Sequence, residues 1–65
     1  MTDTEDTRTV EIFEDEAGEW RWRLRARNGQ VQATSGEAFD SQWNAKRAAF
    51  VVFPALRVEI VPQDQ

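Results

Sequence analysis

The feature that most constrains the fold is a strict alternation of arginine with apolar residues in the stretch "WRWRLRAR". The arginines are Arg21, Arg23, Arg25 and Arg27, and the residues between them are Trp20, Trp22, Leu24 and Ala26. Side chains along a β-strand point alternately to its two faces. The pattern therefore predicts a strand over residues 19–27 with one charged face and one apolar face.

The residues before this strand predict a β-hairpin. Thr9–Glu14 alternates as a first strand, and Glu16-Ala17-Gly18 suits a three-residue loop in which Gly18 adopts the left-handed conformation and forms a bulge. The predicted pairs are Phe13 with Arg21, Ile12 with Trp22, Glu11 with Arg23, and Val10 with Leu24. A four-residue loop would place Val10 and Ile12 among the arginines, so we reject it.

A second hairpin is predicted at Asn28-Gly29, the strongest short hairpin signal in the chain. A two-residue turn of this kind requires positive φ at both positions. It pairs Arg27 with Gln30, Ala26 with Val31, Arg25 with Gln32, Leu24 with Ala33, and Arg23 with Thr34. The third strand then covers residues 30–35, with Val31 and Ala33 on the apolar face.

A helix and a fourth strand are predicted after this meander. Asp40 or Ser41 caps a helix that ends near Val52, because Pro54 disfavours helical backbone at the preceding residue. The helix carries a stripe of small residues, namely Ala45, Ala48, Ala49 and Val52, which we expect to pack on the Trp20/Trp22 face. Residues 56–61 alternate again, with Leu56, Val58 and Ile60 inward, and Pro62 ends this strand.

Together these elements predict an α+β fold in β-β-β-α-β order. It consists of a three-stranded antiparallel β-meander, one α-helix packed on one face, and a short C-terminal fourth strand. We expect residues 1–8 to form a disordered acidic leader, residues 9–61 a single domain, and residues 62–65 a polar tail. With an acidic N-terminus and no membrane-length apolar run, the sequence predicts a cytoplasmic location and no membrane partner.

Trp43, Phe50 and Phe53 lie on the side of the helix opposite the small-residue stripe. One sheet can cover only one side of a helix, so these aromatic residues predict a self-association surface. In the alternative orientation the aromatic residues face the sheet and the alanines face water. The same surface suits an unknown protein partner.

Length and composition also favour self-association. The chain has 65 residues with no Cys and no His, so it forms no disulfide and no ordinary zinc site. A domain of this size is marginally stable, and oligomerisation is the remaining way to bury more surface. We therefore predict a homodimer without metal or cofactor. The 12 acidic residues, set against one Lys and seven Arg, also suggest adaptation to high salt.

Three motifs in residues 9–52 are similar to a known family: "WRWRL" after the Gly18 loop, Asn28-Gly29, and "ATSGE" before the helix. In this arrangement the chain resembles the YegP-like family of small uncharacterised domains. The resemblance implies an antiparallel sheet with a helix on one face, and association as homodimers or as two fused copies. It implies no particular activity. The chain departs from the family's pattern at Trp43 and at the apolar helix end "AFVVFPAL".

The sequence favours a non-catalytic interaction or accessory role. With no His, Cys or Tyr, no acid–base or nucleophile constellation is evident, and we predict no catalytic residue. The alternative is a nucleic-acid-binding accessory protein that uses the face of Arg21, Arg23, Arg25 and Arg27. A net charge of −4 makes nucleic acid the weaker prediction, and the arginine face can equally be a solvated sheet surface.

Overall fold

In the computed structural model, which describes residues 7–62, these residues form a four-stranded sheet with one α-helix against it. The elements in chain order are β1 (Thr9–Glu14), β2 (Trp20–Arg25), β3 (Val31–Thr34), α1 (Gln42–Val52) and β4 (Arg57–Ile60). The predicted α+β fold and its β-β-β-α-β order are confirmed. Most of the predicted leader (residues 1–6) and tail (residues 63–65) lies outside the described residues.

The first hairpin has the predicted loop and register. The Gly18 amide donates to the Asp15 carbonyl at 3.0 Å, and the Asp15 amide donates to the Glu19 carbonyl at 2.8 Å. Gly18 has a φ of 81°, in the left-handed region that favours glycine. Val10 lies opposite Leu24 and Ile12 opposite Trp22, so both strands present their apolar side chains to the same face.

The second hairpin differs from the prediction. Gly29 has a φ of 92°. Among residues 7–62 only glycines have positive φ, so Asn28 does not have the backbone conformation that the predicted turn requires. Instead the Ala26 amide donates to the Gln30 carbonyl at 2.7 Å, which closes a three-residue loop like that of the first hairpin. This loop shifts the pairing by one residue, and Arg25 lies opposite Val31.

A β-bulge then restores the predicted pairing. Leu24 lies opposite Ala33 and Arg23 opposite Thr34, as expected, which leaves Gln32 as the extra residue. Val31 precedes the bulge and still pairs in the shifted register, so it is 46% exposed rather than part of the apolar face. A one-residue slip exchanges the two faces of a strand, so the position of the bulge decides which side chains are buried.

The sheet is mixed rather than purely antiparallel. Its strand order is β3-β2-β1-β4, and β4 pairs with β1 of the same chain in parallel, with Val58 opposite Val10. Parallel neighbours cannot be joined by a tight turn. Here the chain passes from β1 through β2 and β3, and α1 then crosses the sheet from β3 at one edge to β4 at the other. The outer strands of the sheet are therefore β3 and β4.

The helix packs on the sheet with the predicted orientation. Ala45 and Ala49 are fully buried against Val10, Ile12 and Leu24, and Trp20 and Trp22 pack at the edge of this core. Ser41 is the N-cap, and its side chain accepts a hydrogen bond from the Asn44 amide at 3.1 Å. The small side chains allow the helix to approach the sheet closely. Val52, at the end of the predicted stripe, is exposed.

Candidate interaction surfaces

Three of the four predicted arginines lie on the sheet face opposite the helix, which we call the polar face. Arg21, Arg23 and Arg25 alternate along β2, and the first hairpin places them beside β1 residues of the same face. Arg27 lies after the end of β2, in the loop of the second hairpin, and is exposed. The structure therefore brings together three arginines on a strand and leaves the fourth at a loop.

Glu11 is the central carboxylate of the polar face. Its Oε1 atom accepts hydrogen bonds from Arg23 Nε at 2.7 Å and from Arg25 Nε at 3.0 Å, and its side chain is only 15% exposed. Burial acts to raise the pKa of Glu11, but the hydrogen bonds and positive charges of Arg23 and Arg25 outweigh it and lower the pKa below its ordinary value. Glu11 therefore stays ionised between two arginines.

At the other end of β2, Asp15 is the carboxylate that pairs with an arginine of the polar face. Its Oδ2 atom accepts from Arg21 Nε at 2.7 Å, while Oδ1 accepts from the amides of Ala17 and Glu19. The hydrogen bond from Arg21 and that from the Glu19 amide lower the pKa of Asp15. One carboxylate thus closes the hairpin loop and neutralises an arginine.

The remaining contacts of the polar face also engage the arginines. The guanidinium of Arg23 lies 4.6 Å from the centre of the Phe13 ring, a cation–π distance. Arg25 Nη1 donates to the Gly29 carbonyl oxygen in the neighbouring loop. Phe13, the one aromatic residue predicted on this face, is therefore already covered by an arginine.

A second surface lies on the outer side of α1 and is named here the helix surface. Trp43 is 64% exposed and Phe50 is 57% exposed. Together with Lys46, Arg47 and Val58 of β4 they line an open groove of about 220 Å³. The Arg47 guanidinium lies 5.3 Å from the centre of the Trp43 ring. The groove thus combines two exposed aromatic rings with two positive charges.

Phe53 does not belong to the helix surface, which corrects its predicted placement. Its ring makes an edge-to-face contact with Trp22, with the ring centres 5.3 Å apart, and it packs against the core. Phe53 is the C-cap residue, with φ −128° and ψ 70°, so its side chain leaves the direction that a continuing helix would impose. The break before Pro54 turns this ring toward the sheet.

Val51 is an exposed apolar residue of α1 that the sequence prediction missed. It follows Arg47 by four positions, and residues at this spacing lie on the same side of a helix. It lines a wider groove of about 370 Å³ on the other flank of the helix, together with Phe39 and Asn44. Its spacing of four residues from Arg47 would have been enough to predict that Val51 is exposed on this side of the helix.

Within residues 7–62, no cluster of three or more His, Cys, Asp or Glu side chains could hold a metal ion. No helix in this range has the length and apolar character needed to cross a membrane.

Residues 15–49, just over half of the chain, match a family model described as a domain of unknown function (DUF1508). The chain belongs to this family, which confirms the YegP-like resemblance. Its sequence is 45% identical over 38 residues to UPF0339 proteins of Neisseria meningitidis serogroups A and B. Each match covers 58% of this chain and 66% of the relative, just under two thirds of its length.

A solved structure shares the fold. The solution structure of a protein from Haloferax volcanii has a TM-score of 0.68 and 38% sequence identity to this chain. The match covers 74% of this chain and 80% of the Haloferax protein.

Proposed function

We propose that the protein is a small, non-catalytic interaction domain that functions as a homodimer, and that the helix surface forms the dimer contact. The observation that carries the proposal is the exposure of Trp43 and Phe50 on one side of α1. Exposed apolar patches rimmed by polar groups are typical of protein–protein contacts. Trp, Phe and Arg are also the residue types enriched at such contacts.

The energetics of a small domain support this contact. Five hydrophobic residues, two of them alanines, form the buried core among the described residues. A domain of this size buries only about 60% of its unfolded surface, so its stability is marginal. Burial of two large aromatic rings between copies adds apolar contact that the isolated chain lacks.

The position of β4 favours a second copy as the partner on this surface. β4 is an outer strand of the sheet, and its Val58 lines the same groove as Trp43 and Phe50. Ile60 of the same strand is 40% exposed. An outer strand has unpaired backbone donors and acceptors, and these lie beside the apolar groove. A second copy that packs there covers both features at once.

The dimer is tested by measuring mass in solution by light scattering over a range of protein concentrations. We expect a dimer whose dissociation constant rises about tenfold or more in Trp43→Ala and in Phe50→Ala, because central aromatic residues dominate contact energies. Val31→Ala is the matched control, because Val31 is an exposed apolar residue outside the helix surface. A monomer at all concentrations, or equal weakening by the control, would contradict the proposal.

The non-catalytic part of the proposal rests on composition. The sequence has no His, Cys or Tyr, and Glu37 of the "SGE" motif is exposed rather than held in a pocket. The nucleic-acid alternative draws little support from the polar face, because Arg21 and Arg23 each have a carboxylate partner and the Phe13 ring is covered by Arg23. Fluorescence anisotropy with labelled oligonucleotides tests that alternative directly.

A further inference from the structure

Charge is unevenly distributed along the strands of the sheet. The end formed by the first hairpin loop carries Glu14, Glu16 and Glu19 in addition to the Asp15–Arg21 pair. At the opposite end, where β1 begins and β2 ends, Thr9 lies opposite Arg25 on one side and Arg57 on the other. Arg27 follows in the loop beyond Arg25. The sheet therefore has an acidic end and a basic end.

At the basic end the register brings two arginines to one place on the polar face. Paired residues on neighbouring strands point to the same side of a sheet, so the side chains of Arg25, Thr9 and Arg57 share a face. Their Cα atoms span two strand spacings, or about 10 Å. Two long arginine side chains at this separation can both reach a group placed over Thr9.

Two contacts hold the Arg25 side chain in position, and the guanidinium still has N–H donors that are not used. Its Nε atom donates to Glu11 at 3.0 Å, and one Nη1 hydrogen is used by the Gly29 carbonyl. A guanidinium has five N–H donors, so three remain. Because two contacts already restrict its rotation, less conformational entropy is lost when it binds a further group.

Arg57 is the more available of the two cations. Its side chain is 73% exposed, and its contact with Glu59 is a 3.6 Å ion pair on the surface. Exposed ion pairs contribute little, so a better acceptor can displace Glu59 at small cost. Arg27 adds a third positive charge, and it has no ion-pair partner among residues 7–62.

From this arrangement we infer that the basic end of the polar face, formed by Arg25, Thr9 and Arg57, binds an oligophosphate group. Two parallel N–H groups of a guanidinium can donate to two oxygens of one phosphate, and the Thr9 hydroxyl is a further donor. A free oligophosphate fits better than a nucleic-acid strand. Strand binding uses exposed aromatic rings for base stacking, and Phe13 on this face is covered by Arg23.

The inference is tested by titrating the protein with sodium tripolyphosphate in low-salt buffer and following its amide NMR signals. We expect saturable shifts concentrated at Thr9, Arg25 and Arg57. Arg57→Gln should weaken binding about threefold or more, because it removes a charge-assisted contact. Glu59→Gln should strengthen binding, because it removes the competing carboxylate.

Two matched variants separate a built site from general charge. Arg21→Gln removes the same charge from the same face at the acidic end, and Glu16→Gln is the counterpart of Glu59→Gln. Equal effects at both ends, or no saturable shifts, would overturn the inference. Tighter binding of a single-stranded oligonucleotide than of tripolyphosphate would also overturn it, and would favour the nucleic-acid alternative. The side chains of this site lie on the sheet face opposite the helix surface, but Arg57 belongs to β4, beside the proposed dimer contact. The mass of Arg57→Gln in solution is therefore measured with the titration, so that lost phosphate binding is distinguished from a lost dimer.

Discussion

At the scale of single residues, Glu11 determines how the polar face is organised. Three arginines at alternate positions of one strand repel each other, and Glu11 is the partly buried carboxylate that bridges two of them. The Glu11–Arg23 pair was predicted from the loop length, because the number of residues in the hairpin loop decides which β1 residue lies opposite Arg23. The bridge to Arg25 was not predicted, because it depends on the direction that the Arg25 side chain takes.

The first prediction is that Glu11→Gln lowers the free energy of unfolding by about 1–2 kcal/mol, because two charge-assisted hydrogen bonds are weakened and two arginines are left without their counter-charge. Urea denaturation of both proteins measures the difference. Glu59→Gln removes a carboxylate from an exposed 3.6 Å pair and should change stability by less than about 0.5 kcal/mol. Similar losses in both variants would contradict the assigned role of Glu11.

The pH dependence of stability checks the same residue. The folded protein lowers the pKa of Glu11, so the ionised form stabilises the fold at pH values above the ordinary glutamate pKa. That contribution is lost as the pH falls through the lowered pKa. The stability difference between the wild type and Glu11→Gln should therefore be full at neutral pH and shrink in acid. A difference that stays constant across this range would be inconsistent with the ion pairs.

At the scale of secondary-structure elements, the connection from β3 to α1 depends on Ser35. The Ser35 amide donates to the Trp22 carbonyl at 2.8 Å, and its Oγ accepts from the Trp22 amide at 3.2 Å. The chain then leaves the sheet and returns at Phe39, which exchanges two backbone hydrogen bonds with Trp20. Ser35 is 5% exposed, so its hydroxyl replaces a backbone acceptor at a buried position.

We accordingly predict that Ser35→Ala lowers the free energy of unfolding by about 1–3 kcal/mol, the cost of leaving a buried donor without a partner. The donor in question is the Trp22 amide, and its hydrogen exchange should become faster. Thr34→Ala is the control, because Thr34 is the adjacent, exposed residue of β3. If both variants have the same stability, the Ser35 hydroxyl does not support the sheet.

At the scale of the whole molecule, the proposed dimer brings together two chains that each carry a net charge of −4. Like charges oppose association at low ionic strength, and salt screens this repulsion. A contact formed by Trp43 and Phe50 has an apolar centre that screening does not weaken. Its charged groups, Lys46 and Arg47, lie on the same side of α1 as the aromatic rings.

We predict that the dimer strengthens between low and molar potassium chloride. Sedimentation equilibrium in the two buffers gives the dissociation constants, and circular dichroism confirms that the fold is unchanged. A dimer that dissociates in molar salt would show that ion pairs, rather than aromatic rings, hold the two copies together. The Val31→Ala variant should follow the wild type in both buffers.

The strand and helix assignments depend on local patterns and were therefore accessible from the sequence. The alternation in β1 and β2, the Gly18 loop and the Ser41 cap each act within a few residues, and the helix ends at Val52 as predicted. The second hairpin shows the limit of this reasoning. The same Asn28-Gly29 pair suits a two-residue turn or a three-residue loop followed by a bulge, and the choice depends on how β3 fits the sheet.

The sequence by itself determined the order of the elements, the two faces of the sheet and the family, because these follow from periodicity and short motifs. Only the tertiary structure decided that β4 pairs in parallel with β1, that Phe53 packs on Trp22, and that Arg25 and Arg57 lie on either side of Thr9. These contacts join residues that are far apart in the chain. Their partners are selected by packing and strand register, neither of which leaves a local signal in the sequence.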